Sequence, residues 1–147
     1  MFKRVLVPVD GSGLASKVLA YVKNLMLKKM IAQVEILHIR PKMGESYGSA
    51  IERRIQTLVE LESKKVIDEA KAVFDENSLN VSTTLLVGDH PAESILNFAV
   101  EKNCDLIVMG NQGLSSIGQL FLGDTYNKVV RAAPVPVVSI GKYADIE

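Results

Sequence analysis

The chain has 147 residues, 48% of them hydrophobic, with 17 Lys+Arg against 17 Asp+Glu, so its formal net charge is zero. That apolar fraction excludes a disordered protein, and the charge balance supplies no field to draw the chain onto nucleic acid or acidic lipid. A single cysteine, Cys104, excludes an internal disulfide and any multi-cysteine metal centre, and the two histidines, His38 and His90, stand far apart.

The length suits one domain over residues 1–147. The N-terminal apolar stretch runs straight into Asp10 and lacks a signal peptide's cleavage region, and no segment has a membrane-spanning composition. A soluble cytoplasmic protein is the expectation.

Residues 4–9 (RVLVPV) form an apolar, Val-rich run typical of a strand buried on both faces. Leu14, Val18, Tyr21, Val22 and Leu25 follow at the spacing of one helix face, and residues 33–39 (QVEILHI) predict a second strand. After a Pro/Gly/Ser stretch over 41–49 comes a long helix, with apolar positions at Ile51, Ile55, Leu58, Val59, Val66, Ala70 and Val73 and charged flanks. Residues 81–87 (VSTTLLV) alternate, which predicts a strand near the sheet edge. Pro91 opens a third helix with Ile95, Phe98 and Ala99 inward. Residues 105–109 (DLIVM) predict a buried strand stopped by Gly110. A glycine-rich loop then leads to a fourth helix, expected to start at Gly123, with Tyr126, Val129, Val130 and Ala133 on one stripe. Residues 136–140 (PVVSI) close the chain as a terminal strand.

Strands separated by helices are normally parallel with right-handed crossovers. The expected fold is α/β: a single doubly wound, five-stranded parallel sheet, Rossmann-like, with helices on both faces. Its first strand is central, and residues 81–87 lie at one edge. Ligands in such sheets bind at the carboxyl ends of strands where the strand order reverses.

Two segments fall there. Gly110-Asn111-Gln112-Gly113, nine residues and then Gly123-Asp124-Thr125 connect a strand to a helix, where free N–H groups and the helix dipole favour an anion. Glycines at 110, 113 and 123 permit positive φ and close backbone approach, or simply make a tight turn. Pro8-Val9-Asp10-Gly11-Ser12 ends the first strand, and Asp10 is placed either to accept hydrogen bonds from a ribose or to cap the next helix.

With VLVPVDGS at the first strand, LHI ending the second, GDHPAESI, DLIVMGNQG and APVPVVSI, the chain resembles the universal stress protein family over nearly its whole length. The spacing Gly110-x2-Gly113-x9-Gly123 is similar to the signature of the ATP-binding members. The resemblance implies a stress-response protein of adenine nucleotide alpha-hydrolase-like fold that binds ATP or another adenine nucleotide, with Mg2+ as a bridging ion. It also implies a homodimer, for which the apolar C-terminal strand is the expected interface. By the same resemblance Asp10 holds the ribose hydroxyls, Pro8 and Val9 line the pocket, and Ile39 presents its backbone to adenine. Met109, Gly110 and Gly113 border the ribose and phosphates, while Gly123, Asp124 and Thr125 offer N–H groups, and Thr125 a hydroxyl, to the terminal phosphates.

Two departures stand against triphosphate binding. Asp124 occupies the place of the family's Ser or Thr, and a carboxylate about 4 Å from a phosphate charge costs roughly 1 kcal/mol in water. Leu114 replaces a basic residue. Asp124 thus favours the alternative, a non-nucleotide member of the same fold that acts through dimerisation and protein partners.

The remaining polar candidates read as structural. His38 sits inside a buried strand, His90 caps a helix, and Cys104 is a small buried residue. Ser115 and Ser116 read as solvated loop residues before sites of modification or phosphate contact, Lys28-Lys29 is a charged helix end, and Met43 and Tyr47 either fold over a bound base or belong to an ordinary surface loop. A dinucleotide dehydrogenase fails for want of its glycine turn and the acid ending the second strand, and a P-loop enzyme for want of Gly-Lys-Ser/Thr. With no nucleophile–base or carboxylate pair, catalysis is not expected beyond slow ATP hydrolysis.

Overall fold

The computed structural model describes residues 1–42, 49–75, 77–111 and 116–146, the stretch 116–123 by its backbone alone. Five strands, β1 (Phe2–Pro8), β2 (Ile31–Arg40), β3 (Val81–Val87), β4 (Leu106–Gly110) and β5 (Val137–Ile140), alternate with four helices, α1 (Gly13–Leu27), α2 (Ala50–Asp75), α3 (Pro91–Glu101) and α4 (Ser116–Ala132). The strands form one parallel sheet in the order β3-β2-β1-β4-β5. As the alternation predicts, β1 is central and β3 lies at an edge.

Burial on both faces explains the unbroken apolar runs. In β1 the successive residues Val5, Leu6 and Val7 are fully buried. Val5 and Val7 join Val18, Val22, Ile36 and Phe74 in one core layer. Leu6 joins Leu37, Ile95, Phe98, Ile107 and Val129 in the other. Each fully buried aliphatic side chain contributes about 1.5–3 kcal/mol.

The termini of the elements show local chemistry that apolar patterning does not register. Asp105 precedes β4 instead of opening it, because its carboxylate accepts from the backbone N–H groups of Lys3 (2.8 Å) and Arg4 (3.0 Å). Both α1 and α3 close in Schellman motifs around left-handed residues, Lys29 (φ 58°) and Asn103 (φ 54°). The motifs are completed by Met30 N–H to the Leu25 carbonyl and Cys104 N–H to the Ala99 carbonyl, each 2.9 Å. The Lys28-Lys29 pair is therefore a helix stop as well as a charged end.

Helix α2 departs from its periodicity. Its core-facing positions are Ser63, Val66, Ala70 and Phe74, while Ile51, Ile55 and Leu58, expected inward, are exposed. Two contacts give the reason. Val66 packs against Gly11, just beyond the end of β1, and Glu60 lies 3.9 Å from Arg40, the last residue of β2. The ten residues before Glu60 therefore overhang the carboxyl edge of the sheet by about 15 Å, with no strand among the described residues beneath them. Val130 of α4, also expected inward, is 46% exposed, whereas Val129 beside it is fully buried. Among the described residues no helix is long and apolar enough to cross a membrane.

Candidate functional site

The strand order reverses between β1 and β4, because α1 packs in the core layer of Val18 and Val22 and α4 in that of Val129. A crevice opens there, at the carboxyl ends of the strands, as doubly wound sheets require. The space within and in front of it, open solvent included, is ≈ 620 Å³. Seven residues singled out in the sequence line it: Pro8, Val9, Asp10, Ile39, Met109, Gly110 and Thr125.

At the β1 end, Asp10 is half-buried and its Oδ1 accepts from the Ser12 N–H at 2.9 Å. Asp10 therefore shapes the turn and does not cap α1. Ser12 is the cap: its backbone is extended (φ −72°, ψ 161°) and its Oγ accepts from Ala15 N–H at 3.3 Å. His38 Nδ1 lies 2.8 Å from the Val9 carbonyl oxygen. A carbonyl can only accept, so Nδ1 carries the proton and ties the strand exit to β2, the structural role expected of His38. His90 occupies the N-cap position of α3, yet its side chain makes no capping bond.

At the β4 end, Gly110 is required by space and not by backbone conformation. A Cβ placed there would lie 2.8 Å from Leu14 Cδ2, and its φ is not positive. Positive φ belongs to Gly11 (φ +79°), against which Val66 packs. Gly123 also differs from expectation. Helix α4 begins at Ser116, so Gly123, Asp124 and Thr125 lie inside it and their N–H groups belong to the helical ladder. A helical glycine costs only about 1 kcal/mol relative to Ala, which the burial of Val129 and Thr125 from the same helix offsets.

Within α4 the two polar residues part company. Thr125 is buried and lines the crevice. Asp124 is mostly exposed and pairs with Lys128 Nζ at 2.9 Å. Thr125 therefore borders the crevice, and the Asp124 carboxylate points outward. Gly113, Leu114, Ser115, Met43 and Tyr47 lie outside the described residues, as does the Ser116 side chain.

Sequence reading named Ser12, the N-cap of α1, within the strand-exit segment but missed the other walls. Leu14, Ala15 and Val18 come from α1, Leu37 from β2, and Pro91 and Ile95 from α3. They look like ordinary core residues in a one-dimensional pattern, and only the strand order places them around one opening. Asp10 is the single ionisable group among the described lining residues.

The model of the universal stress protein family matches residues 1–140. The chain belongs to this family. It is 34% identical to the universal stress protein in the QAH/OAS sulfhydrylase 3' region of Thermus aquaticus, over 95% of this chain and 99% of that protein. Among solved structures it is similar to MJ0577, with a TM-score of 0.78 at 25% identity and 99% of each chain covered. It is also similar in fold to the universal stress protein of Archaeoglobus fulgidus in complex with dAMP, with a TM-score of 0.63 at 22% identity, covering 94% of this chain and 97% of that one.

Membership of the universal stress protein family agrees with the crevice's position at the carboxyl ends of the strands. Among the described residues no group of three or more His, Cys, Asp or Glu is placed to hold a metal. Cys104 is buried on the amino-end side of the sheet, and burial, reinforced by Glu35, pushes its thiol up to about 11. It is therefore a poor nucleophile at neutral pH.

Proposed function

We propose that this universal stress protein binds an adenine nucleotide in the crevice between β1 and β4 and acts in the stress response as a homodimeric regulatory module without catalysis of its own. The reading is carried by the gathering of Asp10, Ile39, Met109, Gly110 and Thr125 around one mainly apolar opening at the switch point. Such a lining suits a flat heteroaromatic base, with few polar groups to orient it.

In this arrangement the base lies against Ile39 and the apolar wall. The ribose approaches Asp10, whose Oδ1 is held by Ser12 N–H, and Thr125 borders the phosphate side. The dAMP complex of the Archaeoglobus relative supports this reading. The absence of a lysine or arginine from the described lining favours recognition through the nucleoside over recognition through phosphate charge. The dimer is proposed to use β5, an edge strand whose Val137 and Val138, like Val135 before it, are only half-buried.

Calorimetric titration with adenosine, AMP, ADP and ATP, each with and without Mg2+, tests the ligand. Binding that is lost in Asp10→Ala supports the site. If none of the four binds, the reading as a nucleotide binder fails and a module acting only through partners replaces it. A mass of 16.1 kDa in equilibrium ultracentrifugation at micromolar concentration would overturn the dimer.

A further inference from the structure

The overhanging half of α2 carries an apolar surface with no strand among the described residues beneath it. Ile51, Ile55, Leu58 and Leu61 are 71%, 48%, 65% and 59% exposed. At 100° per residue, Ile51, Ile55 and Leu58 form one stripe, set about a quarter turn round the helix from the core-facing Ser63, Val66 and Ala70. Leu61 flanks it. The 4–3 spacing of Ile51, Ile55 and Leu58 is that of a coiled-coil seam.

Monomeric proteins rarely leave such a row of large aliphatic side chains in water. The charges along this stretch indicate what covers it. Arg54 flanks the amino end of the stripe, and Glu62 lies at its carboxyl end, continuing the seam. Both side chains are exposed, and neither has an ion-pair partner among the described residues. Two such helices packed parallel would set Arg54 on Arg54 and Glu62 on Glu62. Packed antiparallel about a two-fold axis, with Ile55 facing Leu58 of the other copy, the basic end of each helix meets the acidic end of the other. A helix face of that pattern is complementary to itself, which is what an isologous contact demands.

We propose that the amino-terminal half of α2 is a self-association surface, occupied by the same helix of a second copy in antiparallel orientation. The contact is independent of the proposed nucleotide site and distinct from the β5 edge. Helix α2 packs over β2 and β3, at the opposite end of the sheet from β5, so the two contacts do not compete. Together they assemble β5 dimers into tetramers or longer chains. Two short helical stripes make a contact in the weak class, below roughly 1,200 Å² of total buried surface, so association is expected at high micromolar concentration.

The test is sedimentation equilibrium over a wide concentration range, on the wild type and on variants at exposed positions that do not disturb folding. Leu58→Glu should abolish the higher of the two association steps. Glu62→Arg should weaken that step by roughly ten-fold, since the two-fold axis counts each charge contact twice, and Arg54→Glu added to Glu62→Arg should restore it. Val138→Glu, aimed at β5, should remove only the other step. If wild type and Leu58→Glu sediment identically, or if the double charge reversal fails to rescue Glu62→Arg, the α2 contact is overturned, whatever the outcome at β5. A wild type whose single association step is lost in Val138→Glu and unaffected by Leu58→Glu overturns it equally, and leaves the β5 dimer standing.

Discussion

Asp124 and Lys128 face each other across one turn of α4, carboxylate to ammonium at 2.9 Å, on the solvent side of the helix. The pair turns the carboxylate away from the crevice and answers its charge, while Thr125, one residue on, is buried and lines the opening. Exposed i,i+4 pairs contribute only about 0.3–0.5 kcal/mol, so the direction in which Asp124 points matters more than the strength of the bond.

Asp124→Ser is therefore expected to leave the ratio of ATP to AMP affinity within about two-fold of wild type, because an exposed, paired charge is strongly screened. Thr125→Val keeps the volume and removes the hydroxyl, and is expected to weaken nucleotide binding by roughly ten-fold. Parallel titrations of both variants check this. A large gain in ATP affinity in Asp124→Ser would return the carboxylate to the phosphates.

Gly110→Ala places a methyl 2.8 Å from Leu14 Cδ2, in a wall of the crevice. Leu14 can yield only by changing rotamer or shifting α1, at about 1–3 kcal/mol for an overpacked site. Thermal unfolding should show that loss, and ligand affinity should fall with it. Adding Leu14→Ala should recover much of the stability.

Gly11→Ala is expected to do worse, by about 2–4 kcal/mol, since it meets Val66 Cγ2 at 2.8 Å and forces an L residue to φ +79°. Val66→Ala relieves the contact and leaves the backbone strain in place. Chemical denaturation of the single and double variants should therefore show only partial rescue.

Lys29 offers the opposite sign. It holds φ 58° at the end of α1, where an L residue pays roughly 1–2 kcal/mol and glycine loses about 0.5–1 in chain entropy. Lys29→Gly is expected to stabilise the protein by a few tenths to about 1 kcal/mol. A lower denaturation midpoint than wild type would contradict this.

The Cys104 thiol, raised from 9.0 to about 11 chiefly by burial, is protonated throughout the physiological range. At pH 8 its thiolate fraction is about 100-fold below that of an ordinary cysteine. Iodoacetamide should modify the native protein slowly and the guanidinium-unfolded protein quickly, as read by mass spectrometry. Equal rates would mean that Cys104 is not buried in solution.

Much of the architecture follows from chain-local physics. The Val-rich run at β1, the alternation in β3 and the prolines preceding β5 specify strand type and edge position, because burial on two faces, one face or neither leaves different residue patterns. The crevice was legible at Pro8, Val9, Asp10, Ile39, Met109 and Gly110, since strand ends and glycines mark the carboxyl edge of a parallel sheet. What periodicity cannot carry is where an element sits against its neighbours. Ile51, Ile55 and Leu58 have core spacing, and only the offset of α2 past Arg40 exposes them. Asp10 and Ser12 are both competent helix caps, and the turn geometry gives the role to Ser12. Asp124 and Thr125 differ by 100° around a helix axis, and whether that rotation faces ligand or water depends on how α4 packs against α3 and β4, which no local pattern encodes.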